Sequence, residues 1–193
     1  MLSKEKKRII VGAAGASGMP VLQQCMRLIK ESEEYESYLV LSDNARVTLE
    51  SETEISTEEI EALADYVLDF KNTGAGPASG SFKTEGMLIV PCSMKTAAGI
   101  FNGYADNLLQ RSADVTVKEQ RTLVLGVRET PLSAIHLRNL YGLSKIPGVH
   151  IVPLMMTFYN HPDNVADMIY HIAAKLVEPF GISAGEYKRW EGI

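Results

Sequence analysis

Five short apolar runs punctuate the chain: RIIVGA from Arg8, SYLVLS from Ser37, GMLIVPC from Gly86, TLVLGV from Thr122 and VHIVPL from Val149. They are nearly continuous in apolar character rather than alternating, which predicts strands buried on both faces. Stretches with a helical period separate them. After Pro20, residues Val21, Leu22, Cys25, Met26 and Ile29 fall on one helical face, and Val165, Met168, Ile169, Ile172, Leu176 and Phe180 do so near the C-terminus. Thr130 before Pro131 reads as an N-cap followed by a proline at the first helical position. Strand–helix alternation with apolar strands predicts an α/β fold, a parallel sheet with helices on both faces. In such sheets ligands sit beyond the carboxyl ends of the strands, so those loops are where chemistry is sought.

Three loops carry candidate residues. The first follows RIIVGA, where Gly12, Gly15 and Gly18 recur at three-residue spacing around Ser17. Glycines let the backbone approach a ligand, and a following helix offers unpaired N–H groups to an anion. The alternative is a turn that only packs a helix against the sheet. The spacing is G-x-x-G-x-x-G, not the dinucleotide fingerprint G-x-G-x-x-G. After the second strand, Asp43 suits a ribose contact and Ser42 a phosphate contact. The second loop is PCSMKTAAG, Pro91 to Gly99, where Ser93 and Thr96 stand at a helix start. Their hydroxyls suit either a phosphate or a simple N-cap. No base neighbours Cys92, so it is not read as a nucleophile. In the third, Arg128 and Glu129 follow TLVLGV, either a guanidinium fork for a phosphate beside a proton-moving carboxylate at a strand end or two neighbouring surface charges.

Other candidates are ordinary when taken singly. Arg111, Asp114 and Lys118 share a helical stripe that reads as a solvated ion-pair ladder. Tyr159 and His161 follow the last strand, and Lys175 flanks the C-terminal apolar face. No histidine–carboxylate or histidine–cysteine spacing suggests a metal site.

Composition narrows the setting. With 193 residues and 46% hydrophobic content, the chain fits one domain over 1–193 with a sizeable core. A formal charge of −5 gives no basic excess for nucleic acid. Two cysteines make no disulfide framework, and a reducing compartment follows as the expectation. The basic start MLSKEKKR precedes an apolar run that glycines soon break, so neither a secretory leader nor a membrane span is expected, and the location expected is cytoplasmic. KNTGAGPASGSFKTEG, Lys71 to Gly86, reads as a long loop of the kind that is often functional.

Taken together, GASG after the first strand, ASGSF, PCSMKTAAGI, GYADNLLQRSADVTVKEQR, VRETPLSAIHLRNL, FYNHP and RWEGI resemble the UbiX-type flavin prenyltransferases, in particular those that accompany phenolic-acid and hydroxyarylic-acid decarboxylases. The resemblance covers nearly the whole chain and is most specific from Met87 to Asn139. It implies a Rossmann-like flavoprotein fold and a homo-oligomer, a dodecamer assembled from trimers. It implies FMN as the bound flavin, with no NAD and no metal. The implied reaction joins a dimethylallyl group from dimethylallyl monophosphate to reduced FMN, and the prenylated FMN serves a UbiD-type decarboxylase. Gly15, Ala16 and Ser17 then line the flavin site, with Ser17 near the reacting ring. Ser42, Ser93, Met94, Lys95, Thr96 and Arg128 match FMN-contacting positions. Tyr159 and Lys175 match binders of the prenyl phosphate, as do Arg111 and Lys118 around it. Ser17, Glu50, Lys118 and Glu129 match catalytic positions, and Ser79–Ser81 resembles a substrate-covering loop. Where many relatives carry arginine, this chain has Lys175.

Three rivals stand beside this reading. Related cysteine-decarboxylating flavoproteins share a Pro-Ala-Ser loop, present here at Pro77–Ser79, but use an early histidine, and the first here is His136. A protein that only carries FMN for a partner has no use for Lys118, Glu129 and Tyr159. A nicotinamide oxidoreductase fails on the glycine spacing.

Overall fold

The computed structural model describes residues 5–192, so the first four residues of the basic start and Ile193 of the RWEGI ending lie outside the described residues. Six strands form one sheet: β1 (Lys7–Ala13), β2 (Tyr35–Leu41), β3 (Tyr66–Leu68), β4 (Gly86–Cys92), β5 (Thr122–Val127) and β6 (Val149–Pro153). Their order is β3-β2-β1-β4-β5-β6, with every neighbouring pair parallel. Helices α1 (Met19–Glu31), α2 (Asp43–Glu52), α3 (Thr57–Glu61), α4 (Met94–Phe101), α5 (Leu108–Lys118), α6 (Ala134–Leu143) and α7 (Val165–Val177) complete the fold. This is the parallel sheet covered on both faces that the apolar runs predict, in the Rossmann-like arrangement that the resemblance implies.

Successive strand residues point to opposite faces. Ile9 and Val11 therefore join the core beneath α1 and α7, while Ile10 joins the one beneath α4 and α5. The face expected on α1 is wholly buried. On α7, Ile172 and Leu176 are buried but Val165 in the first turn is exposed. The edge strand β3 has only three residues, mostly exposed, too short a run for the apolar pattern to reveal. Helix α6 begins later than expected. Ser133, not Thr130, is its N-cap, and Ser133 and His136 satisfy each other's backbone N–H in a capping box.

The chain turns away from the sheet centre in both directions at β1 and β4. Their carboxyl ends therefore flank the switch-point crevice where ligands of such folds bind. The loops there are tied together, since Ala14 N–H donates to Pro91 O at 3.0 Å and Arg128 N–H to Cys92 O at 3.3 Å. Among the described residues no helix is long and apolar enough to cross a membrane.

The central strands are also close-packed at Gly86, where φ is +153° and an added Cβ would collide with Thr122 O of β5. Gly86→Ala combines a strained backbone with a clash inside the sheet. It should cost at least about 1–3 kcal/mol, seen as a lower urea midpoint with an unchanged slope. A variant as stable as the parent would contradict this close approach.

Candidate active site

Helix α1 begins without a side-chain cap. Its N-cap is Gly18, at φ +127°, and Pro20 in the first turn has no N–H to give. The two amides left at the helix start are both met by one carboxylate. Gly18 N–H and Met19 N–H donate to Glu52 Oε2 at 2.8 and 2.9 Å. The glycine spacing predicts free N–H groups for an external anion. The anion on this helix terminus is instead an internal one, and its charge disfavours a phosphate there.

Glu52 is half-buried at the end of α2. Burial opposes its ionisation, but the Ser17 hydroxyl, the Gly18 and Met19 amides and the Arg128 charge outweigh it and hold the carboxyl below the usual range. Ser17, Glu52 and Arg128 thus form one electrostatic unit across the loops after β1 and β5. The candidate from sequence is Glu50, which is exposed. Two residues on a helix differ by about 200° in direction, so Glu50 cannot replace Glu52 at this loop. The buried Ala45 and Leu49 mark the inward stripe of α2, and Glu52 continues it at i+7.

Beside this unit, Ala14, Gly15, Ser42, Asn44, Ser93 and Thr96 line a cavity of about 400 Å³, with Lys95 and Gln110 also on its wall. Ser42 and Ser93 are N-caps of α2 and α4, accepting from the Ala45 and Thr96 amides at 3.1 and 3.2 Å. Capping and ligand contact are compatible, because the Ser93 hydroxyl also meets Thr96 Oγ1 at 3.0 Å and either hydroxyl can donate outward. A Cβ on Gly15 would overlap Asn44, so this glycine sets the approach of the loop to α2. Hydroxyls, a lysine and a helix start fit a phosphate monoester. Asp43 is exposed and faces Lys71 Nζ at 3.6 Å. Cys92 is buried, which pushes its thiol up to about 12 and leaves it protonated at neutral pH.

On the other flank, Met94, Arg128, Glu129 and Met155 line a cavity of about 290 Å³. Glu129 is exposed and accepts from Thr130 N–H at 3.1 Å. Pro153 and Met155 also border the next cavity, of about 360 Å³, which holds Tyr159, His171, Lys175 and Tyr187. Lys175 Nζ donates to Glu178 at 2.7 Å, and Arg189 holds the same carboxylate at 2.5 Å. The hydrogen bond to Glu178 raises the Lys175 pKa, so it is cationic at neutral pH.

Two expected residues lie elsewhere. Lys118 is at the far end of α5, about 15 Å along the axis from Leu108, which starts the helix beside the first cavity. It pairs with Glu119, while Arg111 pairs with Asp114 at 2.7 Å and donates to Ala78 O at 3.2 Å. Ser79–Ser81 lies against the same end of α5, where Arg121 donates to Gly80 O at 2.7 Å. One chain therefore carries two groups. Ser17, Glu52, Arg128, Tyr159 and Lys175 stand at the carboxyl edge, and Arg111, Lys118 and the 79–81 loop on α5. His161 is an exposed loop residue at φ +50°, outside both groups.

The depressed Glu52 pKa has a consequence with a definite sign. Its ionised form stabilises the fold above the ordinary glutamate range, and this contribution is lost as pH falls through the lowered folded value. Glu52→Gln should cost on the order of 1.5 kcal/mol at neutral pH, from the loss of charged hydrogen bonding. The gap to the parent should close in acid. A gap that stays constant across the acid range would contradict the role of the charge.

Residues 2–193 match the family model described as Flavoprotein. The flavin prenyltransferase LpdB of Lactiplantibacillus plantarum is 47% identical over 186 residues, 96% of this chain and 99% of that protein. The dodecameric FMN-dependent UbiX-like decarboxylase from Escherichia coli O157:H7 superposes with a TM-score of 0.94 at 45% identity, covering 96% of this chain and 100% of that one. AnUbiX, crystallised with FMN and dimethylallyl pyrophosphate, gives a TM-score of 0.92 at 39% identity over 98% of this chain and 100% of that one. These relatives cover nearly the whole chain, and this chain belongs to the flavoprotein family, among the UbiX-like flavin prenyltransferases.

Proposed function

We propose that the protein transfers a dimethylallyl group from dimethylallyl monophosphate to reduced FMN, and that the prenylated flavin passes to a UbiD-type aromatic-acid decarboxylase in the cytoplasm. The observation carrying this reading is that the carboxyl edge holds two cavities with hydroxyl and lysine side chains on their walls and a third lined by Met94, Leu132, Leu154 and Met155. Ser42, Ser93, Lys95 and Thr96 suit one phosphate ester, and Tyr159 with Lys175 suits another. A transfer between two phosphate esters needs such a pair.

In this reading Gly15, Ala16, Ser42, Ser93, Met94, Lys95, Thr96 and Arg128 hold FMN. Reduced FMN, when bound, supplies the electron-rich ring atoms that accept the prenyl carbon. The residues of the chain manage the rest. Lys175 and the Tyr159 hydroxyl stabilise the charge that grows on the donor phosphate as its bond to the prenyl carbon breaks. Met94, Leu132, Leu154 and Met155 wall the gap with apolar side chains and exclude water that would trap an allylic cation. Ser17, aligned by the Glu52 carboxylate, holds a hydroxyl at the loop where a proton must be moved, and Glu129 is a second acceptor near Arg128. A decarboxylase acting alone finds little support, since His136 caps α6 and stands outside this edge.

The chain serves as one FMN-binding unit of an oligomer. Ile135, Leu137 and Tyr141 on α6, with Met155, Met156 and Phe158 after β6, are large apolar side chains left exposed by a single chain. So much uncovered apolar surface suits burial against further copies. In such an assembly Arg111 and Lys118 of one copy complete the donor-phosphate site of another.

Anaerobic incubation with reduced FMN and dimethylallyl monophosphate should yield a flavin heavier by one prenyl unit in mass spectrometry. Unmodified FMN, together with decarboxylation of an aromatic acid by this protein alone, would contradict the reading. Lys175→Ala should slow transfer by about 2.7–4 kcal/mol in the barrier while FMN stays bound. Ser17→Ala and Lys118→Ala proteins, dissociated and mixed, should recover part of the activity. Mixed oligomers that form and remain inactive would place a complete site within one chain.

A further inference from the structure

The Tyr159–Lys175 cavity contains a histidine to which the reaction above gives no role. His171 is 7% exposed and lies one turn before Lys175 on α7, so both side chains share a face. Its two ring nitrogens meet different partners. Nε2 is 3.4 Å from the Tyr159 hydroxyl oxygen, and Nδ1 is 3.4 Å from Asn160 Nδ2. As placed, the Asn160 amide turns its NH2 to the ring and leaves its Oδ1 buried without a partner; with the NH2 donating, Nδ1 accepts, and a neutral imidazole then carries its proton on Nε2. That N–H faces the Tyr159 oxygen.

We propose that His171 is a positioning residue that donates its Nε2–H to the Tyr159 oxygen, leaving the Tyr159 O–H free to be given to the phosphate of the prenyl donor. The inference rests on the reading of this cavity as the donor-phosphate site. Were the hydroxyl instead to donate to the ring, its proton would be spent inside the protein and the oxygen would turn lone pairs toward an anion.

The surroundings fix both rings. Tyr159 stands edge-on to His171, with ring centres 5.7 Å apart at 84°, and Trp190 packs edge-on against Tyr159 at 5.6 Å. Tyr187 lies against the other side of His171 at 4.7 Å. Burial, then the Lys175 charge, holds the ring below its usual pKa and so neutral at neutral pH. Asp163 and Asp167 at the start of α7, and Glu186 and Lys188 of the C-terminal segment, border the adjoining cavity that His171 also lines. The hydrogen-bond partners of the ring are Tyr159 and Asn160 rather than any of these carboxylates.

Two measurements on the full-length protein test the proposal. In 15N-labelled protein at neutral pH, the His171 ring should show the neutral Nε2–H tautomer. The Nδ1–H tautomer, which an Asn160 oxygen turned toward the ring would require, overturns the proposal. In single-turnover transfer with reduced FMN preloaded and dimethylallyl monophosphate saturating, His171→Phe should lower the rate about tenfold, the scale of one hydrogen bond, with FMN affinity unchanged. His171→Gln, whose amide keeps an N–H near the Nε2 position, should recover most of the rate. In a Tyr159→Phe background, His171→Phe should cost nothing further. An equal loss with and without the Tyr159 hydroxyl overturns the proposal, because the effect would then be packing alone. If the parent transfers no prenyl group, the functional reading fails, and the tautomer still decides the direction of the His171–Tyr159 hydrogen bond.

Discussion

The carboxyl edge of this protein depends on one carboxylate meeting an uncapped helix. Gly18 and Pro20 leave the start of α1 with no side-chain cap and one amide fewer, and Glu52 supplies the missing acceptor from the end of α2. Helix α1 packs beneath the sheet, α2 follows the second strand, and Arg128 follows the fifth. The single ion therefore couples three loops that are distant in sequence. It also sets the chemistry. The Ser17 hydroxyl helps to hold the Glu52 carboxylate ionised, and the helix terminus that would otherwise attract an external phosphate is already neutralised. In the proposed function, phosphate binding is therefore assigned to Ser42, Ser93 and Thr96 on one side and to Tyr159 and Lys175 on the other.

Much of the fold is legible in the sequence because parallel strands covered on both faces are written as unbroken apolar runs. Five of the six strands, and the faces of α1 and most of α7, follow from that pattern. The three-residue β3 carries too little pattern to be seen. At α6 two hydroxyls compete for the cap, and Ser133 prevails because His136 stands where a capping-box partner must. The site is legible as a set of residue types but less so as a geometry. Resemblance points to Glu50 where Glu52 stands, although the stripe running through Ala45 and Leu49 leads to position 52. His171 escapes notice as a functional residue because a lone histidine in an apolar helix face looks like core.

The residues on α5 show why sequence alone could not assemble the site. Arg111 and Lys118 lie near the 79–81 loop, and in an isolated chain they form two separate ion pairs, with Asp114 and Glu119, of small energetic value rather than the expected ladder. Their use becomes intelligible only if another copy brings its carboxyl edge to them. The exposed apolar side chains of α6 and of the segment after β6 supply a reason for such an approach. Stability and catalysis would then rest on the same contact, since it would bury apolar surface and dry the gap in which the cationic fragment forms.

The central claim is that each chain holds half of the groups that surround the donor phosphate. A crystal structure of the assembled protein with FMN and dimethylallyl monophosphate tests it most directly. The account predicts the donor phosphate within hydrogen-bonding distance of Tyr159 and Lys175 of one copy and of Arg111 and Lys118 of another, with the flavin phosphate beside Ser42, Ser93 and Thr96. A donor phosphate bound wholly by side chains of one copy, or seated on the Gly18–Met19 amides in place of Glu52, would contradict it.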